Sequence, residues 1–130
     1  MSTQDLSMKK LSKKNPYTLS KNRTLELKYF CLQYKEWEDE IASINLYLKG
    51  QDPTGELAIK LSALEHNIDL VDHSLALAGD IDGVLFEGVT CGFSYDILQA
   101  RRGVLPWSRR GYYSCYRRFM FILSCKKQGL

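Results

Sequence analysis

Six aliphatic residues recur at helical spacing between residues 57 and 75. They are separated by four, three, four, three and four positions, and they are Leu57, Leu61, Leu64, Ile68, Val71 and Leu75. This heptad-like spacing places all six on one face of an α-helix of about five turns. Because so apolar a face is unfavourable in water, the chain must fold so that another helix covers this seam.

The segment before the seam supplies a candidate partner. Residues 25–48 carry an apolar stripe of helical spacing, and the sequence GQDPTG at 50–55 predicts a turn between the two segments. We expect a helical hairpin, and the seam of a second copy of the chain is the alternative partner. Thr24 and Thr54 are the predicted caps of the two helices. The stripe consists of Leu25, Tyr29, Leu32, Trp37, Ile41, Ile44 and Leu48.

Three further helices are predicted, and each begins at a residue type that commonly caps helix N-termini. The first runs from Asp80 or Asp82 to about residue 91, the second from Ser94 to about residue 102, and the third from Ser108 to about residue 127. Glycine follows the first two, as is common after a helix. No segment shows the alternation of a strand. The predicted fold is all-α, with an N-terminal helical hairpin followed by a C-terminal helix-turn-helix at about 94–127.

The charge of the chain is divided into three blocks. Residues 1–35 carry a net charge of +6, residues 36–96 carry −11, and residues 97–130 carry +8 with no acid, so that the chain totals +3. Residues 1–22 are polar and rich in Lys and Ser, which predicts a disordered basic leader. Residues 23–130 are predicted to form a single helical domain. A basic, acid-free end favours a polyanionic partner such as nucleic acid.

The predicted final helix carries both aromatic residues and arginines, in the sequence WSRRGYYSCYRRFM at 107–120. At about 100° per residue, one face collects the residues expected to pack in the core. The other face collects polar and basic residues. The first set is Tyr112, Tyr116, Phe119 and Leu123, and the second is Arg110, Ser114, Arg117 and Arg118.

We predict that the outer face binds double-stranded DNA. In a helix-turn-helix the N-terminal residues of the second helix reach base edges, which nominates Ser108, Arg109 and Arg110. Arginine suits this role because its planar guanidinium can donate two hydrogen bonds to guanine or phosphate. Ser114 lies on the same face. The remaining basic residues are expected to contact phosphates, and they are Arg101, Arg102, Arg117, Arg118 and Lys126.

Three stretches resemble a known group of regulators. They are VTCGFSYDIL (89–98), GVLPWSRRGYY (103–113) and YRRFMFILS (116–124), and KYFCLQYKEWEDEI (28–41) matches more loosely. The sequence is similar to the RinA/ArpU-like regulators of late gene expression in phages and integrated elements, which in turn resemble region 4 of sigma-70 factors. The resemblance implies a sequence-specific, DNA-binding transcriptional regulator of a phage or mobile element. Two residues depart from the pattern of these regulators. They are Gly111, in the first turn of the predicted recognition helix, and the bulky Trp107 in the turn before it.

Other classes of protein are disfavoured. The chain has no nucleophile elbow, Walker A motif or GxGxxG motif, and His66 and His73 would stand about 10 Å apart along one helix. We therefore expect no enzymatic activity, no catalytic residue, no metal and no cofactor. The four cysteines form no CxxC pair, and no run approaches the roughly 20 apolar residues of a membrane span. We expect a cytoplasmic protein with reduced thiols and no membrane partner.

Two questions stay open at the level of sequence. The acidic block suits three roles, which are contact with RNA polymerase, self-association as a homodimer, and repulsion of non-specific DNA. The alternative function is that of a small helical interaction protein that binds and modulates a host protein, with Phe121 as an anchor. In that case the basic end would match an acidic or nucleic-acid-binding partner.

Overall fold

A computed structural model describes residues 18–130, and residues 1–17 of the predicted leader lie outside the described residues. The described range contains six helices and no strand, which confirms the all-α prediction for this part of the chain. The helices are α1 (Lys21–Cys31), α2 (Tyr34–Leu48), α3 (Gly55–Ala78), α4 (Val84–Cys91), α5 (Tyr95–Arg102) and α6 (Arg109–Lys127).

Helix α1 begins earlier than predicted. The hydroxyl of Ser20 accepts a hydrogen bond from the backbone N–H of Arg23 at 3.1 Å, so Ser20 is the cap. Thr24, the predicted cap, instead lies within the first turn and donates its hydroxyl to the Ser20 carbonyl at 3.0 Å. Lys21 and Asn22 are therefore helical and do not belong to the leader.

The buried face of α1 is also different from the predicted one. Leu27 and Cys31 are fully buried, whereas Leu25, Tyr29 and Leu32 are exposed. Both faces of this segment carry apolar side chains, and the spacing alone could not identify the one that packs. The helix ends at Cys31, and a short turn separates it from α2, so the predicted continuous stripe is interrupted.

Helices α2 and α3 form the predicted hairpin. The Tyr34 hydroxyl donates to the Asp72 carboxylate at 2.8 Å, and Lys60 pairs with Glu40 at 2.9 Å, so the helices run antiparallel. Thr54 precedes α3 as predicted, but its side chain makes no capping hydrogen bond. The seam is covered within the chain by α2 and α6. Its buried members are Leu61, Leu64, Val71 and Leu75, and Leu57 and Ile68 pack partly buried against the core.

Local side-chain caps begin the remaining helices. Ser94 accepts a hydrogen bond from the N–H of Ile97 at 3.3 Å, and Ser108 accepts one from Gly111 at 3.2 Å, which confirms both predicted caps. Helix α4 begins at Val84, and the Asp80 carboxylate accepts from the N–H groups of residues 85 and 86 at 2.8 and 3.2 Å. Asp80 therefore satisfies donors of the first turn from outside the helix.

Helix α6 lies at the centre of the fold and packs against α1, α3 and α4. Tyr112 of α6 packs against Gly88 of α4. A methyl group on Gly88 would overlap the Tyr112 hydroxyl and would lie 3.3 Å from Leu98 Cδ1. Only a glycine at this position lets the tyrosine ring lie against α4.

This contact predicts a paired effect on stability. Gly88→Ala should lower the free energy of unfolding by about 2 kcal/mol or more, because the added methyl overpacks a buried site. In a Tyr112→Phe background the same substitution should cost less, since the overlapping hydroxyl is gone. Within residues 18–130 that hydroxyl is buried without a hydrogen-bond partner, so Tyr112→Phe alone should not destabilise the protein.

Urea unfolding of the four proteins in this cycle provides the measurement. An equal cost of Gly88→Ala in both backgrounds would show that the Tyr112 hydroxyl is not what restricts residue 88.

Candidate nucleic-acid interface

The outer face of α6 is basic, as predicted. Arg110, Ser114 and Arg117 are exposed and follow the i, i+4, i+7 spacing of one helical face, with the half-exposed Arg118 beside them. We call these four residues the arginine face. The opposite side of the helix is buried, which confirms the predicted separation of core and outer residues. Tyr112, Phe119 and Leu123 are at most 1% exposed, and Tyr116 is partly buried.

The N-terminal end of α6 is fixed to α5 by tyrosine side chains. The Tyr95 hydroxyl donates to the carbonyl of Trp107 at 2.7 Å, and the Tyr95 N–H donates to the Tyr113 hydroxyl at 3.1 Å. The Trp107 ring lies 6.0 Å from that of Tyr112, and its side chain packs against the core. The bulky residue in the connection thus anchors the start of α6.

Gly111 does not interrupt the helix. Its N–H donates to the Ser108 cap, and its φ angle lies outside the left-handed region. A methyl group there would approach the Ser108 hydroxyl at 3.4 Å and Trp107 Cβ at 3.5 Å, which are ordinary van der Waals distances. The position is therefore not restricted to glycine, and the first turn of α6 forms in spite of the residue's low helix propensity.

Two of the arginines predicted to bind phosphate are held by an acid of α4. Arg101 and Arg102 both pair with Glu87, at 2.7 and 2.6 Å. Arg102 also donates to the carbonyl of Asp82 at 2.9 Å, and the Arg101 guanidinium lies 4.9 Å from the centre of the Phe93 ring. The hydrogen bond from Arg102, reinforced by Arg101, lowers the pKa of the Glu87 carboxyl.

Arg109 is held by an acid of α5. Its guanidinium pairs with the Asp96 carboxylate and lies 5.2 Å from the centre of the Tyr95 ring. It thus points back toward α5, although it is the first residue of α6. Within residues 18–130, Arg110, Arg117 and Arg118 form no ion pair. Among the arginines of α5 and α6, those without an acidic partner in the described range are therefore the ones on the arginine face.

Lys126 lies away from this face. It follows Arg110 by sixteen residues, which corresponds to about 24 Å along the helix and to nearly the opposite side of it. Its neighbours are His66, Asp69 and His73 of α3, with which it lines a shallow groove. Lys126, predicted to contact a phosphate, thus lies on a different side of α6 from Arg110.

Sequence reasoning identified the arginines but missed their acidic partners. Glu87 and Asp96 lie in the acidic block, and 13 to 15 positions separate them from the arginines that they bind. Such pairs depend on how α4, α5 and α6 pack, which helical spacing does not reveal. The one local signal was the position of Asp96 in the first turn of α5, at the end that faces the start of α6.

None of the helices within residues 18–130 combines the length and the apolar character needed to cross a membrane. Comparison with known proteins gives no relative: no family model matches the chain, and no curated protein or solved structure is detectably similar to it. The residues of the chain itself therefore carry the functional inference.

Ionisation of Glu87 should contribute to stability. The pKa of Glu87 is lower in the folded protein than in the unfolded chain, where it is about 4.3. The ionised carboxylate therefore stabilises the fold at pH values above about 4.3, and this contribution is lost as the pH falls through the pKa of the folded state. Glu87→Gln should therefore reduce the free energy of unfolding by about 1 kcal/mol at neutral pH. The difference from the wild type should diminish as the pH falls below about 4.3 and through the lowered pKa of Glu87 in the folded protein.

Chemical denaturation across this pH range provides the measurement, with Glu65→Gln as the control. Glu65 is exposed on α3 and forms no ion pair within the described residues. A Glu87→Gln effect that did not vary with pH would contradict the proposed ion-pair contribution.

Proposed function

We propose that this protein is a sequence-specific transcriptional regulator that binds double-stranded DNA through the arginine face of α6. The single observation that carries the proposal is the contrast between its arginines. Arg101, Arg102 and Arg109 are ion-paired with Glu87 and Asp96, whereas Arg110, Arg117 and Arg118 project without an acidic partner in the described range. A surface without such a role commonly mixes both signs of charge.

The dimensions of α6 are compatible with a DNA groove. Arg110 and Arg117 are about two turns, or 10 Å, apart on one face. The major groove is about 12 Å wide and admits an α-helix. In the proposed complex α5 and α6 act as a helix-turn-helix, with Ser108 and Arg110 near base edges. Arg117 and Arg118 neutralise phosphates. The assignment to a phage or mobile element rests on the resemblance of the stretches 89–98, 103–113 and 116–124 to RinA/ArpU-like regulators.

The arginines that already have acidic partners contribute less in this proposal. To reach DNA, Arg109 would exchange the Asp96 carboxylate for a phosphate or a base, and Arg101 and Arg102 would leave Glu87. Each exchange replaces one anion by another, so its net gain is small. Their main role is then to fix α4, α5 and α6 relative to one another.

The acidic α2–α3 hairpin has a separate role in the proposal. Nine acids against three lysines lie in residues 34–78, a surface that DNA would repel. We assign this surface to a protein contact, with RNA polymerase or a second copy of the chain as the partner.

A second candidate function is a helical protein that binds and modulates a host protein. Exposed apolar residues near the turn of the hairpin favour it: Leu46, Tyr47 and Ile59 are 78%, 77% and 71% exposed. Large apolar side chains exposed in one region are typical of a protein-binding surface. In this candidate the hairpin binds the partner, and the arginine face has no ligand of its own.

DNA binding distinguishes the two candidates. The protein should bind a duplex from the DNA flanking its gene, and log affinity should fall with log salt by roughly 0.9 for each phosphate contacted. Arg110→Ala should cost about 1–3 kcal/mol of discrimination between this duplex and a scrambled one. Arg117→Ala should weaken binding to both duplexes similarly and reduce the salt slope by about 1.

Lys126→Ala is the matched control, because it removes one positive charge from the same helix on the side away from the arginine face. Its affinity for DNA should be close to that of the wild type. Binding that is insensitive to salt, or an equal loss on Lys126→Ala and Arg110→Ala, would contradict the proposal. No duplex binding together with capture of one host protein through Tyr47 and Ile59 would favour the second candidate.

A further inference from the structure

A cavity of about 250 Å³ lies between α1, the connection from α4 to α5, and α6. The apolar side chains of its lining are Leu32, Val89, Phe93 and Met120. Sites for drug-sized ligands span about 300–1,000 Å³, so this cavity suits a smaller molecule of one or two rings. It does not include any residue of the arginine face.

Four residues of the lining carry a polar side-chain group, and they are Lys28, Ser94, Tyr113 and Tyr116. Lys28 lies at its exposed side and forms no ion pair within residues 18–130. The Tyr116 phenol lies on the α6 wall and has no hydrogen-bond partner in the same range. Burial raises the pKa of Tyr116 to about 12, so this phenol is protonated at neutral pH and can donate.

A third donor is available beside Tyr116. The Tyr113 hydroxyl accepts the hydrogen bond from the Tyr95 N–H, which leaves its own hydrogen free to donate into the cavity. Among the described residues that line the cavity, none is Asp or Glu. The lining thus combines apolar walls, one ammonium group and neutral phenol donors, and it contains no acid that would repel an anion.

We propose that this cavity binds a small, flat monoanion with an apolar body, of the class of aromatic carboxylates. The ring lies between Val89, Phe93 and Met120, where it exchanges water for apolar contacts. The carboxylate accepts from Lys28 and from the Tyr116 hydroxyl, and these charge-assisted hydrogen bonds set its orientation. A dianion would carry one more negative charge than the lining can pair, because Lys28 is the one basic side chain among the described lining residues.

This site is independent of the proposed DNA contact. Tyr116 lies about 100–120° around α6 from Arg110 and Arg117, and no residue of the arginine face lines the cavity. Ligand binding is therefore measurable without DNA. Failure of either proposal leaves the other standing.

Titration of the full chain with 2-naphthoate tests the site, with fluorescence or calorimetry as the readout. Wild-type protein should bind one equivalent saturably. Lys28→Gln should weaken binding about five- to tenfold, and Tyr116→Phe several-fold, as expected for loss of a hydrogen bond to a charged group. Lys49→Gln removes an exposed charge at the far end of the hairpin and should leave the affinity unchanged.

Naphthalene-2-carboxamide separates the contribution of charge from that of shape. It should bind wild-type protein more weakly than 2-naphthoate, and Lys28→Gln should not weaken it further. Thermal unfolding of Tyr116→Phe shows whether this variant is folded. If Tyr116→Phe does not fold, Lys28→Gln still tests the site, because Lys28 is exposed and its substitution should not affect folding. The proposal is overturned if 2-naphthoate shows no saturable binding at millimolar concentration, or if Lys28→Gln binds it as tightly as Lys49→Gln does.

Discussion

The contact between Tyr112 and Gly88 sets the rotation of α6 about its own axis. The absence of a side chain at residue 88 lets the tyrosine ring lie against α4, and the rings of Tyr95 and Trp107 lie 5.7 and 6.0 Å from it. Once residue 112 points inward, Arg110, Ser114 and Arg117 must point outward, because they are about 140–200° away around the helix. The exposed basic surface is therefore a geometric consequence of a core contact.

The same packing determines which arginines are available. Helix α4 brings Glu87 to Arg101 and Arg102, and α5 brings Asp96 to Arg109. The acid-free end of the sequence is thus partly neutralised by acids that precede it in the chain. Exposed ion pairs contribute little stability individually, but here they orient three arginines across helix boundaries and leave Arg110, Arg117 and Arg118 without an acidic partner in the described range.

Short-range signals were sufficient to predict much of the fold. Ser94 and Ser108 cap the helices that follow them, because a cap depends on residues only three positions apart. The seam of α3 was predictable because its spacing persists over five turns. The same local reasoning separated the buried Tyr112 and Phe119 from the exposed Arg110.

Features that depend on tertiary packing were not predictable in this way. Helix α1 carries apolar residues on both faces. Because one face packs against α6, Leu27 and Cys31 are buried, whereas Leu25 and Tyr29 stay exposed. The position of Lys126 beside α3, and the cavity beside Tyr116, arise from helices that are distant in sequence. Helical spacing thus predicted the exposed arginine face of the candidate site. The ion pairs of the nearby Arg101, Arg102 and Arg109 depend on tertiary packing and were not predictable from spacing.

NMR titration of the isotopically labelled protein with the duplex that flanks its gene tests the role of the arginine face most directly. The guanidinium Nε–H signals of Arg110 and Arg117, and the amides of residues 108–118, should shift most. The Arg101 and Arg102 signals should shift less, because both side chains stay bound to Glu87. Largest shifts in α2 and α3, or no shifts at low salt, would contradict the assignment of DNA binding to this face.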